Sequence, residues 1–177
     1  MSADRPDRPP PARARTTDDE YSAVVRDRYV GLARLAYALC GDRAHAEDAV
    51  AEACSRVYVH WARGKVDDLP AYLRQAVVNE VRKRHRRRAL ERREEERRRV
   101  DPRAHDRVDA QLGNRTVLWD ALRHLSLDQR AVVVLRVVED QSEAETAELL
   151  GIRPGTVKSR LSRALATLRD HLGATDV

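Results

Sequence analysis

The residues best suited to chemistry in this chain are cations and short hydroxyls spaced along one helical face. Thr156, Lys158, Ser159, Ser162 and Arg163 follow one another closely, with Arg153 just ahead of them. At about 100° per residue, Gly155, Ser159, Ser162 and Ala166 line one side of a helix. Lys158 flanks that side on one edge, and Thr156 and Arg163 flank it on the other. Small side chains let another surface approach the backbone, and Lys and Arg meet phosphates and guanine edges. These are the requirements of a helix that reads the DNA major groove. From Arg153 to Arg169 there are five Lys/Arg and no Asp or Glu.

Two further clusters carry charge. Arg82 to Arg88 holds six Lys/Arg in seven residues. On the helix leading into it, Tyr72, Gln75, Asn79, Arg82, Lys83 and Arg86 share one band away from the apolar side. An amide, an aromatic ring and several cations together suit single-stranded or melting DNA. The other cluster is acidic: Glu47, Asp48 and Glu52, with Arg56 one turn after Glu52. No His or Cys completes a metal site there, and no carboxylate pair is set for acid–base work, so a protein-docking face is the sharper reading. A plain solvated helix surface can carry such charges too. For the last third of the chain, the turn, the caps, the small polar face and the one-sign charge agree on DNA. With no nucleotide-binding loop, metal cluster or nucleophile–base pair, the expectation is a non-enzyme without catalytic residues, cofactor or metal.

The elements that must position these residues are legible from periodicity. Ser142, with Glu145 three residues on, reads as a capped helix start. Ala147, Leu149 and Leu150 give that helix an apolar side, and Gly151 ends it, because Gly takes a left-handed conformation without a Cβ penalty. Pro154 suits the first turn of the next helix, although Arg153 stands where Ser, Thr, Asp or Asn would cap better. Val157, Leu161, Ala164, Leu165, Leu168 and Leu172 form the expected buried stripe. Upstream, Tyr29, Leu32, Ala36 and Leu39 mark a helix from about Asp19, which Gly41-Asp42 breaks. Ala46, Ala49, Val50, Ala53, Val57 and Trp61 mark a second, from about His45 to Ala62. After a loop from Gly64 to Asp68, Pro70 opens a third with Leu69, Leu73, Ala76, Val77 and Val81 inward. Helices resume with Val117, Leu118, Ala121, Leu122 and Leu125, and Ser126 opens one through about Glu139 that contains the Val132–Leu135 run.

The fold class is therefore all-α: two small helical domains, 19–92 and 115–173, joined by a linker over 93–114. Residues 1–18, rich in Pro and Arg, read as a disordered tail. The 177 residues carry 36% charged and only 4% aromatic side chains, with a net charge of +5. A pI near 9.6 favours a polyanionic partner. Lys occurs only at Lys65, Lys83 and Lys158, so Arg supplies 31 of the 34 basic residues. The run Ala131–Leu135 is far too short to span a bilayer, and the N-terminus lacks a hydrophobic signal core. A cytoplasmic protein with no membrane insertion of its own is expected. Cys40 and Cys54, without metal-spaced partners, read as small core residues in a reducing compartment.

Several stretches together resemble the extracytoplasmic-function (ECF) group of bacterial RNA polymerase sigma factors, in the sigma-70 family. Ala46-Glu-Asp-Ala-Val-Ala-Glu-Ala-Cys54 resembles the helix that binds core polymerase, with Ala51 where Gln is usual and Cys54 where Phe is common. Ala71-Tyr-Leu-Arg-Gln-Ala-Val-Val-Asn79 and the Arg run resemble the promoter-melting helix. Leu125-Ser-Leu-Asp-Gln-Arg130 and Gly155-Thr-Val-Lys-Ser-Arg160 resemble the C-terminal DNA-binding domain, and Arg56-Val-Tyr-Val-His-Trp61 is similar to an actinobacterial branch. The resemblance implies docking on core RNA polymerase (the β′ clamp and the β flap) through Glu47, Asp48, Glu52 and Arg56. It implies contact with the −10 element through Tyr72, Asn79, Arg82, Lys83 and Arg86, with the Val66–Leu69 loop capturing a flipped base. It implies reading of the −35 element through Arg153, Thr156, Lys158, Ser159, Ser162 and Arg163, Arg153 and Arg160 being suited to phosphate or intramolecular contacts. An anti-sigma partner is implied as well. The competing expectation is a conventional helix-turn-helix regulator, which explains the C-terminal motif but not the acidic second helix or the Asn79–Arg surface.

Overall fold

Helices account for almost all of residues 12–98 and 117–173, the portions described by the computed structural model, and no strand occurs among them. The first three are α1 (Ala12–Cys40), α2 (Arg43–Trp61) and α3 (Leu69–Arg98), packed against one another. Leu35 and Leu39 of α1, Val50 and Val57 of α2, and Leu73, Val77 and Val78 of α3 are fully buried between them. Each such side chain stabilises the fold by about 1.5–3 kcal/mol through removal of apolar surface from water.

Local chemistry explains the boundaries. Asp42 caps α2, its Oδ1 accepting from the His45 N–H at 2.7 Å. Asp68 does the same for α3, accepting from the Ala71 N–H at 2.9 Å. The start of α1 differs from the sequence reading: the helix begins at Ala12, not about Asp19, so residues 12–18 are helical where a disordered tail is expected. Two contacts from α2 hold this part. Tyr58 Oη donates to Asp18 Oδ1 at 2.5 Å, and Trp61 Nε1 donates to the Thr17 carbonyl at 3.2 Å. Residues 1–11 of the expected tail lie outside the described residues. At the other end, α3 continues to Arg98, into the stretch read as linker, and 99–116 lie outside the described residues.

The C-terminal helices are α4 (Val117–Leu122), α5 (Leu127–Val133), α6 (Glu143–Leu150) and α7 (Pro154–Gly173). Ser126 and Gln129 form a reciprocal capping box at the start of α5. Val132 to Leu135 are all buried, because α5 is central to its unit and also faces α1 and α3. Beyond Val133 the chain widens into a π-helical turn over Val134–Val138, where the Glu139 N–H reaches back to the Val134 carbonyl at 2.9 Å. Ser142 and Glu145 make the predicted capping box. Gly151 is left-handed (φ 63°), its N–H closing on the carbonyls of Ala147 and Glu148. These features produce the sharp helix–turn–helix of α6 and α7.

Two expected core residues are surface residues. Tyr29 is 41% and Leu165 38% exposed. Both sit about 60–80° off the centre of their helix's apolar stripe, on its rim, whereas Leu35 and Ala164 lie nearer the centre and are buried. The Leu172 side chain lies outside what is described.

The apolar core runs continuously from the first three helices into the last four. Arginines tie the two units together. Arg130 of α5 donates to the Leu39 carbonyl in the last turn of α1 at 2.8 Å. In the other direction, Arg82 of α3 donates to the Leu150 carbonyl at the end of α6 at 2.9 Å. Carbonyls in the last helical turn lack intrahelical donors and carry the negative end of the helix dipole, so a guanidinium is well matched to both.

Candidate nucleic-acid and protein-docking surfaces

Helix α7 presents its polar residues as predicted. Val157 and Ala164 are buried, while Arg153, Lys158, Ser159, Ser162 and Arg163 are exposed and Thr156 is half-buried. The Thr156 N–H donates to the Arg153 carbonyl at 2.8 Å, so Arg153 stands at the helix entry. Within the face, Ser159 Oγ donates to the Thr156 carbonyl at 3.1 Å and Arg163 Nε to the Ser159 carbonyl at 3.2 Å. These exposed, intrahelical bonds are readily exchanged for bonds to a base edge or phosphate. Arg160 makes an intramolecular contact, 3.0 Å from Asp128 Oδ2.

The band on α3 is divided. Asn79, Lys83 and Arg86 are exposed. Tyr72 is half-buried against the core, its ring 6.1 Å from that of His60. Arg82 is the most engaged: its side chain is 14% exposed and donates to the Leu150 carbonyl and, at 3.2 Å, to Asp128 Oδ1. Asp128 thus bridges Arg82 of the −10 candidates and Arg160 of the recognition helix. In the Val66–Leu69 loop, both end residues are buried and the outward side chains are Asp67 and Asp68.

The acidic face of α2 is tied to α3. Glu52 lies 2.7 Å from Arg56, and Arg56 NH1 lies 2.8 Å from Glu80 Oε2. Arg84 Nε is 3.1 Å from Glu80 Oε1, and Arg84 reaches Asp48 at 3.5 Å. Glu47 is paired with Arg43 at 2.8 Å. Glu80, a carboxylate only 6% exposed, sits at the hub of this network. Sequence reasoning missed it; the available signal was an acid embedded in the α3 apolar stripe between Val77 and Val81, with Arg84 one turn on.

Cys40 and Cys54 are free and half-buried. Desolvation raises both thiol pKa values, which disfavours the reactive thiolate. Among the described residues no group of three or more His, Cys, Asp or Glu could hold a metal ion. No helix of these residues is long and apolar enough to cross a membrane.

Comparison with known proteins agrees with this geometry. Residues 24–91 match Sigma-70 region 2, and residues 115–168 match Sigma-70, region 4. The chain is 39% identical over 160 residues to an RNA polymerase sigma-E factor of Streptomyces antibioticus, covering 89% of this chain and 87% of that protein. It is 35% identical over 173 residues to the ECF RNA polymerase sigma factor SigL of Mycobacterium tuberculosis, covering 93% of each. A solved structure of the sigma factor RpoE in complex with the anti-sigma factor NepR, from Bartonella quintana, superposes with a TM-score of 0.67 at 25% identity, over 87% of this chain and 97% of that one. With both sigma-70 regions present and relatives matched along most of its length, the chain belongs to the ECF group of RNA polymerase sigma factors.

Proposed function

We propose that this protein is an alternative sigma factor that binds core RNA polymerase in the cytoplasm and directs promoter-specific initiation. Sigma factors are non-catalytic transcription initiation factors, and this chain contributes binding and positioning, not bond chemistry. Arg153, Thr156, Lys158, Ser159, Ser162 and Arg163 contact the −35 element. Tyr72, Asn79, Arg82, Lys83 and Arg86 engage the −10 element as it melts, and Glu47, Asp48, Glu52 and Arg56 dock on the β′ clamp. The C-terminal unit adds a contact to the β flap. The observation that carries this reading is the coexistence, in one chain, of an outward helix–turn–helix face, a second cationic band on α3 and an acidic face on α2. A conventional helix–turn–helix regulator uses only the first. The RpoE structure was solved with an anti-sigma factor, which supports a partner of that class here.

The test is association of the full chain with core polymerase, followed by gel filtration. Wild type co-elutes with core, and Glu52→Arg is lost from the complex while its binding to −35 duplex persists. A wild-type chain that never co-elutes with core contradicts the proposal.

A further inference from the structure

Glu80 has no assigned part in either DNA surface, yet it is the one buried carboxylate among the described residues. Burying an ion costs more than pairing usually returns, and apolar replacements of buried ion pairs are often neutral or stabilising. Stability is therefore a poor account of a charge among Leu73, Val77 and Val81. The geometry gives a better one. The two oxygens of Glu80 face different arginines on different helices: Oε2 meets Arg56 of α2 at 2.8 Å, and Oε1 meets Arg84 of α3 at 3.1 Å. Each arginine then holds an exposed acid of α2. Arg56 lies 2.7 Å from Glu52, and Arg84 NH2 donates to the Asp48 carbonyl at 3.2 Å with its carboxylate beside it. Lys83 stands at 4.0 Å, at the edge of the same group. Exposed ion pairs alone are weakly ordered; anchored on a buried carboxylate, these are fixed in place.

We infer that Glu80 is a positioning residue for polymerase docking, holding Arg56 and Arg84 so that Asp48, Glu52 and both arginines form one preset, mixed-charge surface across α2 and α3. This rests on the reading of α2 as the docking face, and it adds Arg84 to that face. Side chains ordered before binding lose less entropy on association, so the anchor acts on affinity more than on folding.

The experiment titrates labelled full-length chain with core polymerase for wild type, Glu80→Gln, Arg84→Ala, the double variant and Glu52→Arg, alongside thermal melting and −35 duplex binding. Glu80→Gln keeps the volume and removes the charge. The expected result is core binding about tenfold weaker for Glu80→Gln, with Arg84→Ala adding little in the double variant because the two act as one unit. For Glu80→Gln, which leaves no buried charge behind, melting and duplex binding stay near wild type, whereas Arg84→Ala, which strips one partner from the buried carboxylate, melts lower. The inference is overturned if Glu80→Gln binds core like wild type while Glu52→Arg weakens it, or if the two substitutions add independently. Should Glu80→Gln fold poorly, the half-exposed Arg84 decides alone: normal core binding by Arg84→Ala overturns the inference. Core binding untouched by Glu52→Arg instead shows that the α2 face itself is misassigned, and the inference falls with it.

Discussion

The two surfaces proposed to meet DNA differ in how free they are. On α7, Lys158, Ser159, Ser162 and Arg163 are exposed, and the bonds of Ser159 and Arg163 run along their own helix. On α3 the equivalent band is compromised: Arg82 is held by α6 and Asp128, and Tyr72 is half-buried against the core. The first surface can meet duplex DNA as it stands. In the second, Arg82 is free for a new partner only when its bonds to the Leu150 carbonyl and Asp128 are given up. The contrast follows from what each helix packs against. Helix α7 packs one apolar stripe on α4, α5 and α6 and leaves its other side exposed. Helix α3 has the N-terminal core on one side and α5 and α6 on another, so part of its cationic face is enclosed.

The largest expected effect is at α7. Arg163→Ala is expected to reduce discrimination between the −35 element and a scrambled duplex by about 1–3 kcal/mol, the worth of a good base contact. A loss equal on both duplexes would mean that Arg163 touches only phosphate. Next in size is the turn that sets the face. Gly151→Ala forces a Cβ into a left-handed residue, although open space surrounds it. Stability should drop by about 1 kcal/mol through backbone strain alone, measured by thermal melting, with −35 affinity falling in proportion and −10 binding retained. An unchanged melting temperature would show that the cap is not what positions α7.

A smaller effect is expected on α3. Asp128→Asn removes the shared partner of Arg82 and Arg160. Binding to a single-stranded −10 oligonucleotide should tighten a few-fold, consistent with loss of a partly exposed pair worth up to about 1 kcal/mol. Asp120→Asn, which changes net charge equally, should not reproduce it. If both variants gain alike, the effect is global charge and not release of Arg82.

The smallest effect is pH. Desolvation, then the charges of Arg92 and Arg130, hold the His85 pKa below the ordinary histidine value, with Asp128 opposing. The folded state therefore binds fewer protons than the unfolded chain. Stability from this group is complete above the unfolded value of about 6.5 and is lost as pH falls below it. The drop in melting temperature between about pH 7.5 and about pH 5.5 should shrink slightly in His85→Gln. An unchanged drop would place the acid sensitivity elsewhere.

Features encoded within one turn of chain were readable from sequence. Ser142 with Glu145, Gly151 and Pro154 define α6 and α7 because caps and left-handed turns depend on neighbouring residues. The outward set on α7 follows from helical spacing for the same reason. Stripe rims were not readable: Tyr29 and Leu165 repeat at helical spacing, but burial there depends on how far a neighbouring helix extends. Periodicity could mark Glu80 as an acid out of place but could not name partners distant in sequence. Glu80 finds Arg56 24 positions away, and Arg82 finds Asp128 46 positions away. Periodicity assigns Arg82 to a solvent-facing band on its own helix and carries no information about the α5 and α6 residues that cover it.

The most direct test of the account is in vitro transcription with purified core RNA polymerase on genomic promoter fragments, with and without this protein. Specific start sites should appear only when the chain is present and should weaken with Arg163→Ala. Transcripts indifferent to its addition, from a chain shown to be folded and able to bind DNA, would contradict it.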